Sequence, residues 1–505
     1  MEKNYVLAYD LGTTGNKAII MDGDCQLVAS AFAPYQTFFP FTKAVEQDPA
    51  DWWGSVRETT QQVLQQGIDS HAIRGIVFSG QMMGCVPVNS EAEPLGRGII
   101  WADMRGRQQA ETLLSEMGSQ ALYEILGNRV TASYSAAKMM WIRDYESDRF
   151  RRVYKFLQPK DFLIARMTGR FVTDFSDACG TNLFDIERRE WSTMILEAAE
   201  IPQGVLPDLA ASTDIVGKLS HSAASELGLR DGIPIVIGGG DGACAAAGAG
   251  AIAASQTYQY LGSSSWLGTV SSHPLLDSEA RIFNWTHVVP GLYAPTGTMQ
   301  AAGASFQWFK TTLGVKPEGG KRAYEIMDDM AAASTGPENG LIFLPYLLGE
   351  RSPVWNDNAR GAFIGLHMSH RPGDLVRAVM EGIALNMKGI LDALTTQVSV
   401  KQLRFIGGGA KSRLWAQIFS DVYGYPLKVP NTLDEATAMG AALTGGVGVG
   451  LFSSFDVIQQ VFQNERCVTP NADRHDAYLR LQSTYQEAYR SLIGIFDNLI
   501  NLSSR

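Results

Sequence analysis

Tyr5-Val-Leu-Ala-Tyr-Asp10-Leu-Gly-Thr-Thr-Gly15-Asn-Lys-Ala-Ile-Ile20-Met-Asp22 decides the fold. An apolar run from Tyr5 to Tyr9 ends in a carboxylate, Asp10. The polar turn Gly12-Thr13-Thr14-Gly15 follows, and a second apolar run, Ala18 to Met21, leads away. Two strand-like runs joined by a short glycine-containing turn predict a β-hairpin. Gly12 and Gly15 let backbone N–H groups approach a ligand closely, Thr13 and Thr14 add hydroxyls, and Lys17 adds a positive charge. With Asp10 beside it, the turn has the chemistry of a phosphate cradle next to a carboxylate that holds a cation. A plain hairpin turn that favours Gly, Thr and Asn is spelled with the same letters.

The pattern returns in mid-chain. In Tyr258 to Val270, Leu261-Gly262-Ser263-Ser264 repeats Leu11-Gly12-Thr13-Thr14, again between two β-runs. Two such hairpins predict a duplicated fold with a phosphate loop in each half. The second loop lacks the preceding Asp, so the halves are expected to play unequal roles. The uncharged stretch Gly242 to Ser255 is the best boundary, giving units 1–245 and 246–505. Segments near the start and the middle of the chain are expected to converge on opposite walls of one crevice.

Between the hairpins, Gln26 to Ala33 reads as a third strand, and Asp48-Pro49 as a helix N-cap with proline at the first position. Strand-like runs at Ile73–Phe78 and Arg97–Trp101 end in the polar clusters 79–84 and 102–105, where α/β sheets collect ligands. Gln108 to Ser220 reads as mostly helical. The strand Pro234–Ile237 runs into Gly238-Gly239-Gly240-Asp241-Gly242 and an alanine-rich helix. There Asp241 is either a base held at a strand end or a helix N-cap. The loose dinucleotide fingerprint around it lacks the acidic residue expected about twenty positions on. No phosphate-loop motif of the GxxxxGK[ST] type occurs. Gly407-Gly408-Gly409-Ala410 ends one more strand and opens a helix, as a close turn or as a seat for a nucleotide.

Net charge is −10, from 42 basic and 52 acidic residues dispersed along the chain. That argues against a nucleic-acid groove or an anionic membrane surface and for a small-molecule partner. Five scattered cysteines with no CxxC signal neither a disulfide framework nor zinc, and a cytoplasmic setting fits. The seven histidines show no metal-ligand spacing.

On further motifs the chain resembles the FGGY family of carbohydrate kinases over nearly its whole length. The first family signature is similar at Ser133, Ser135, Lys138, Met139, Trp141, Ile142 and Asp144, with Tyr145 departing from it. The second is matched from Gly361, Phe363, Gly365 and Leu366 to Asp374, Leu375, Ala378, Val379, Met380 and Glu381, and Gly349 to Pro353 resembles a family loop. Runs 157–162 and 173–178 resemble the xylulokinase branch.

The resemblance implies an α/β, actin-like ATPase fold: two duplicated RNase H-like domains around a central cleft, sugar on the first and nucleotide on the second. It implies ATP and Mg²⁺, Asp241 as catalytic base and Asp10 at the metal. Gly12, Thr13, Thr14 and Lys17, with Gly262, Ser263, Gly303, Gln307, Gly408, Gly409 and Ala410, would serve the nucleotide. Gln81, Met82, Met83, Trp101 and Asp103 would serve the sugar, and Arg105 could instead pair with Asp103. Met83 stands where xylulokinases carry His, and Gly242 where they carry Asn. The expected reaction is D-xylulose to D-xylulose 5-phosphate, with gluconate or another polyol as alternative acceptor. An actin-like ATPase module without sugar chemistry is the alternative of another class. A homodimer is left open.

Overall fold

In the computed structural model, which describes residues 4–430 and 435–503, the chain builds the same six-stranded sheet twice. The first contains β1 (Tyr5–Leu11), β2 (Gly15–Asp22), β3 (Leu27–Pro34), β4 (Ile73–Gly80), β5 (Ile215–Lys218) and β6 (Pro234–Gly240), in the order β5-β6-β4-β1-β2-β3. The second contains β7 (Thr257–Leu261), β8 (Ser265–Thr269), β9 (Thr296–Met299), β10 (Leu403–Ile406), β11 (Leu427–Val429) and β12 (Arg466–Val468), in the order β9-β8-β7-β10-β11-β12. In each, the opening three strands form an antiparallel meander. The next two lie parallel to the first, and the far edge strand is antiparallel.

The expected hairpins are both present: Asp10 pairs with Lys17 across the first, and Leu261 with Ser265 across the second. Asp48 caps α1 (Pro49–Leu64) by accepting the Ala50 N–H at 2.9 Å, with Pro49 in the first turn. The helix buries Trp52, Trp53, Val56 and Val63 against the first sheet. Three expectations change. The strand at Arg97–Trp101 shrinks to Gly98–Ile99, because the chain turns at once, with the Asp103 N–H on the Ile100 carbonyl. The region 108–220 is helical but threaded with short strands, and its last strand, β5, completes the sheet edge; a glycine in Ile-Val-Gly-Lys hides it from the sequence pattern. The helix expected to open directly after Gly407–Ala410 starts at Arg413, since Ser412 caps it and 408–411 form a tighter turn.

The halves are joined by two alanine- and glycine-rich helices at equivalent points of the duplication. α2 (Asp241–Gly248) follows β6, and α3 (Ala436–Gly448) follows β11. α3 leaves its own sheet and packs on the first one, where Ala438, Ala441, Ala442 and Leu443 share a core with Val6, Ala8, Val77 and Val236. α2 contributes Ala243 and Ala247 to that core, while its Ala246 packs with Tyr258, Val270 and Ile406 of the second half. The helices cross backbone to backbone. A Cβ on Gly248 would lie 1.7 Å from the Ala436 carbonyl oxygen, and one on Gly440 1.8 Å from that of Cys244. Among the described residues, no helix is long and apolar enough to cross a membrane.

Gly440→Ala should therefore force the helices apart and cost about 1–3 kcal/mol or more, the scale of overpacking a filled core. Gly494→Ala, where a Cβ meets nothing within 4 Å in the last helix, should be neutral or gain roughly 0.5–1 kcal/mol. Thermal unfolding of the two variants side by side checks this; equal Tm values would contradict it.

Candidate active site

The site begins at the ends of three neighbouring parallel strands. Leu11 pairs with Gly80 and Gly80 with Gly240, so these residues lie side by side across β1, β4 and β6. Adjacent strands are about 4.8 Å apart, which sets Asp10 and Asp241 on the order of 10 Å apart at one sheet edge. Both carboxylates thus belong to the same wall. The expectation that start and middle segments face each other across the crevice is corrected, because β6 folds back beside β4 of the first sheet. The second half approaches through Tyr258, whose hydroxyl lies 3.4 Å from the Gly242 carbonyl.

Asp241 opens α2 and accepts its neighbour's N–H, from Gly242, at 2.7 Å. Protein surrounds the carboxylate deeply while the open crevice keeps it in touch with solvent. This crowding, with the Asp10 charge added, pushes its carboxyl up to about 7. Asp10 is pushed up to about 6, again by burial, with Ser79 and Lys17 pulling down. Its Oδ1 is buried, and neither it nor the hydroxyl of the adjacent Ser79 finds a partner within ordinary hydrogen-bond geometry. Among the described residues no group of three acidic, His or Cys side chains forms a metal cage. Magnesium does not require one, since it takes one or two carboxylates and completes its shell with water and phosphate oxygens.

The first turn is braced from several sides. Gln47 donates to the Thr13 carbonyl at 2.7 Å, Trp101 Nε1 to Thr13 Oγ1 at 2.9 Å, and Tyr35 to the Gly12 carbonyl. Gln81 reaches Gln47 Oε1 at 2.8 Å. Thr14 remains exposed, and Lys17 is paired with Glu435 of the second half at 3.1 Å. Trp101 also faces Arg351, whose guanidinium is 5.7 Å from its ring centre. Met82 is buried against Gly240, and Met83 adopts a left-handed φ of 61° with its carbonyl accepting from Lys138 at 2.6 Å. Asp103 is fully buried and spent on the Val45 N–H (2.6 Å) and on Arg105 (2.9 Å), the structural pairing. Tyr35 and Gln47 were not singled out from the sequence, where nothing marks them apart from ordinary loop residues.

Two cavities bring other expected residues together, and neither is lined by Asp10, Asp241, Gln81, Met82 or Met83. One, about 860 Å³, lies between the halves and is lined by Lys43, Trp101, Arg129 and Ser133 on one side and Gln300, Arg351 and Asn356 on the other. The second, about 560 Å³, gathers Gly262, Ser263, Gly303, Gln307, Gly408 and Gly409, six residues expected together. Ala410 is buried below it. The loop 262–263 is bonded to the start of the helix Gly303–Thr312: Ala302 and Ala304 N–H donate to the Ser263 carbonyl at 3.0 and 2.9 Å. A Cβ on Gly303 would sit 2.3 Å from the Gly262 oxygen, so only glycine permits this approach. Tyr260, Phe306, Tyr324, Asp328 and Trp415 also line the cavity and were missed, the aromatic residues because their spacing matches ordinary core.

Comparison with known proteins gives the family. The N-terminal domain model of the FGGY family of carbohydrate kinases matches residues 5–248, and the C-terminal domain model residues 258–449. A xylulose kinase of Staphylococcus epidermidis is 31% identical over the full length of both chains. A gluconokinase of Bacillus subtilis is 28% identical, covering 99% of this chain and 96% of its own. The crystal structure of ligand-bound xylulose kinase from Lactobacillus acidophilus, 26% identical, superposes with a TM-score of 0.92 over 98% of this chain and 100% of its own. With two actin-like halves, a shared carboxylate edge and both domain models matched, the chain belongs to the FGGY family of carbohydrate kinases.

Proposed function

We propose that this sugar kinase transfers the γ-phosphoryl group of ATP to D-xylulose, giving D-xylulose 5-phosphate, with Asp241 as general base. The observation that carries the reading is Asp241 itself: a solvent-reachable carboxyl at about 7, at a strand end, beside a second carboxyl and a glycine-threonine turn. A neutral hydroxyl is a poor nucleophile, and a base whose pKa lies near the working pH takes its proton most effectively. The sugar would bind on unit 1–245 near Gln81, Met82, Met83 and Trp101. ATP would bind mainly on unit 246–505, its base against Gly408 and Gly409 and its phosphates between the Gly262–Ser263 and Gly12–Thr14 turns. Asp10, through its unpartnered Oδ1, would hold Mg²⁺, which offsets charge on the phosphate oxygens. Lys17 adds positive charge at the same turn. Closure of the halves excludes water that would otherwise accept the phosphoryl group.

One observation favours gluconate as a second acceptor. The cavity between the halves carries Lys43, Arg107, Arg129 and Arg351 against two acids, Glu279 and Asp357, a net cationic lining that suits a carboxylate better than a neutral ketose. Met83 offers no side-chain hydrogen bond where the xylulokinase pattern has His. ADP release measured with D-xylulose, other ketoses, polyols and gluconate separates these acceptors. Turnover with gluconate alone would transfer the assignment.

Asp241→Asn should abolish turnover on the preferred acceptor while ATP still binds; full activity would remove Asp241 as base. The base must be ionised to accept the hydroxyl proton. The kcat/KM for the sugar should therefore climb as pH rises through about 6 to 7, where Asp10 and Asp241 lose their protons, and level off above. A flat profile from pH 5 to 8 would contradict this. A Cβ on Gly408 meets no protein atom within 4 Å. Gly408→Leu should thus leave folding intact and raise the KM for ATP at least about tenfold through lost complementarity, with little change in the sugar KM.

A further inference from the structure

Behind Asp241 lies a group of charges that phosphoryl transfer does not use directly. Lys160, Asp161, Asp174 and Asp177 are all fully buried. Lys160 Nζ lies 2.6 Å from Asp161, 2.9 Å from Asp174 and 3.1 Å from Asp177. Burial works against the ammonium, but the three carboxylates outweigh it and hold Lys160 charged well above the usual lysine range. Burial also pushes Asp161 and Asp177 up, toward the neutral form. A buried ionic group of this kind adds little net stability over apolar packing, so stability alone does not account for it.

Asp174 connects the group to the site. Its Oδ2 accepts the Ser176 N–H at 2.8 Å, the Ser176 hydroxyl, and the Ser212 hydroxyl at 3.2 Å. Ser176 Oγ in turn accepts the Gly240 N–H at 2.9 Å. A hydroxyl has one proton, and that of Ser176 is committed to a carboxylate. Its oxygen is therefore fixed as an acceptor toward Gly240, and the charge behind Asp174 strengthens both bonds. Gly240 immediately precedes Asp241, and its peptide has little freedom on the other side, where a Cβ would lie 2.6 Å from Met82. Lys160 also backs the neighbouring strand end, 3.1 Å from where a Gly80 Cβ would stand.

We propose that Ser176, anchored by the Lys160–Asp174 ion pair, is a positioning residue for phosphoryl transfer: it fixes the Gly240 peptide so that the Asp241 carboxylate meets the acceptor hydroxyl. This rests on the reading of Asp241 as base. A base displaced by a fraction of an ångström to an ångström loses much of its effect while substrates still bind. Ser212 supplies the control, since its hydroxyl also bonds Asp174 but its side chain does not touch Gly240 in this relay.

The test compares Ser176→Ala, Ser212→Ala and Asp241→Asn by steady-state kinetics per folded protein and by thermal unfolding. Ser176→Ala should lower kcat by about tenfold or more with the KM values for sugar and ATP nearly unchanged. Ser212→Ala should lower Tm and keep kcat. Full kcat in Ser176→Ala, or equal kcat losses in both serine variants, would overturn the proposal. If Ser176→Ala does not fold, Ser176→Cys keeps the side chain's bulk with a poor acceptor; it should show the same kcat loss, and full kcat there would overturn the proposal equally. An active Asp241→Asn removes the base reading beneath it. An inactive Asp241→Asn beside a fully active Ser176→Ala removes only the positioning role.

Discussion

Everything at the site depends on the contact of two helices whose backbones meet directly at two glycines. At Gly248 and Gly440 the backbones of α2 and α3 touch, and any Cβ would overlap a carbonyl oxygen. Close approach is possible because both helices are built from alanine and glycine, residues that are poor at filling a core but good at letting main chains meet. Each helix follows the equivalent strand of its half, so the crossing joins equivalent points of the duplication. Asp241 is the first residue of one of these helices. The joint between the halves and the residue proposed as base therefore belong to one element.

The second constraint is electrostatic. Asp10 and Asp241 lie on one sheet edge and are both pushed toward neutrality by burial. Two such groups would repel if both were charged and unaccompanied. Lys17 on the facing hairpin strand pulls Asp10 down, but it is shared with Glu435. The edge is thus short of positive charge as it stands, a setting that suits a divalent cation. The buried Lys160 group lies under the same strand ends and reaches the Gly240 backbone through Asp174 and Ser176.

Much of this was legible in the sequence, for identifiable reasons. The Leu-Gly-Thr-Thr and Leu-Gly-Ser-Ser turns are local features, and local features survive translation into structure; both hairpins formed in register. The glycines at 262, 303, 408 and 409 converge on one cavity: Gly303 admits the backbone of the Gly262 turn, Gly262 and Gly409 leave room for the side chains of Tyr260 and Leu261, and Gly408 leaves open space. What could not be read was long-range. The edge strand β5 and the departure of α3 to the other half's sheet leave no local trace. Asp103 was a fair candidate for a sugar ligand by type and place, yet Arg105 two residues later consumes it. The aromatic residues Phe306, Tyr324 and Trp415 carry the spacing of core and give no sign that they border a cavity.

The most direct measurement is a crystal structure of the protein with D-xylulose, Mg²⁺ and a non-hydrolysable ATP analogue. The arrangement described here predicts the metal on Asp10, the nucleotide along Gly262, Gly303 and Gly408, and a sugar hydroxyl within hydrogen-bond reach of Asp241. A sugar bound away from Asp241, or a nucleotide outside the cavity behind the second hairpin turn, would contradict it.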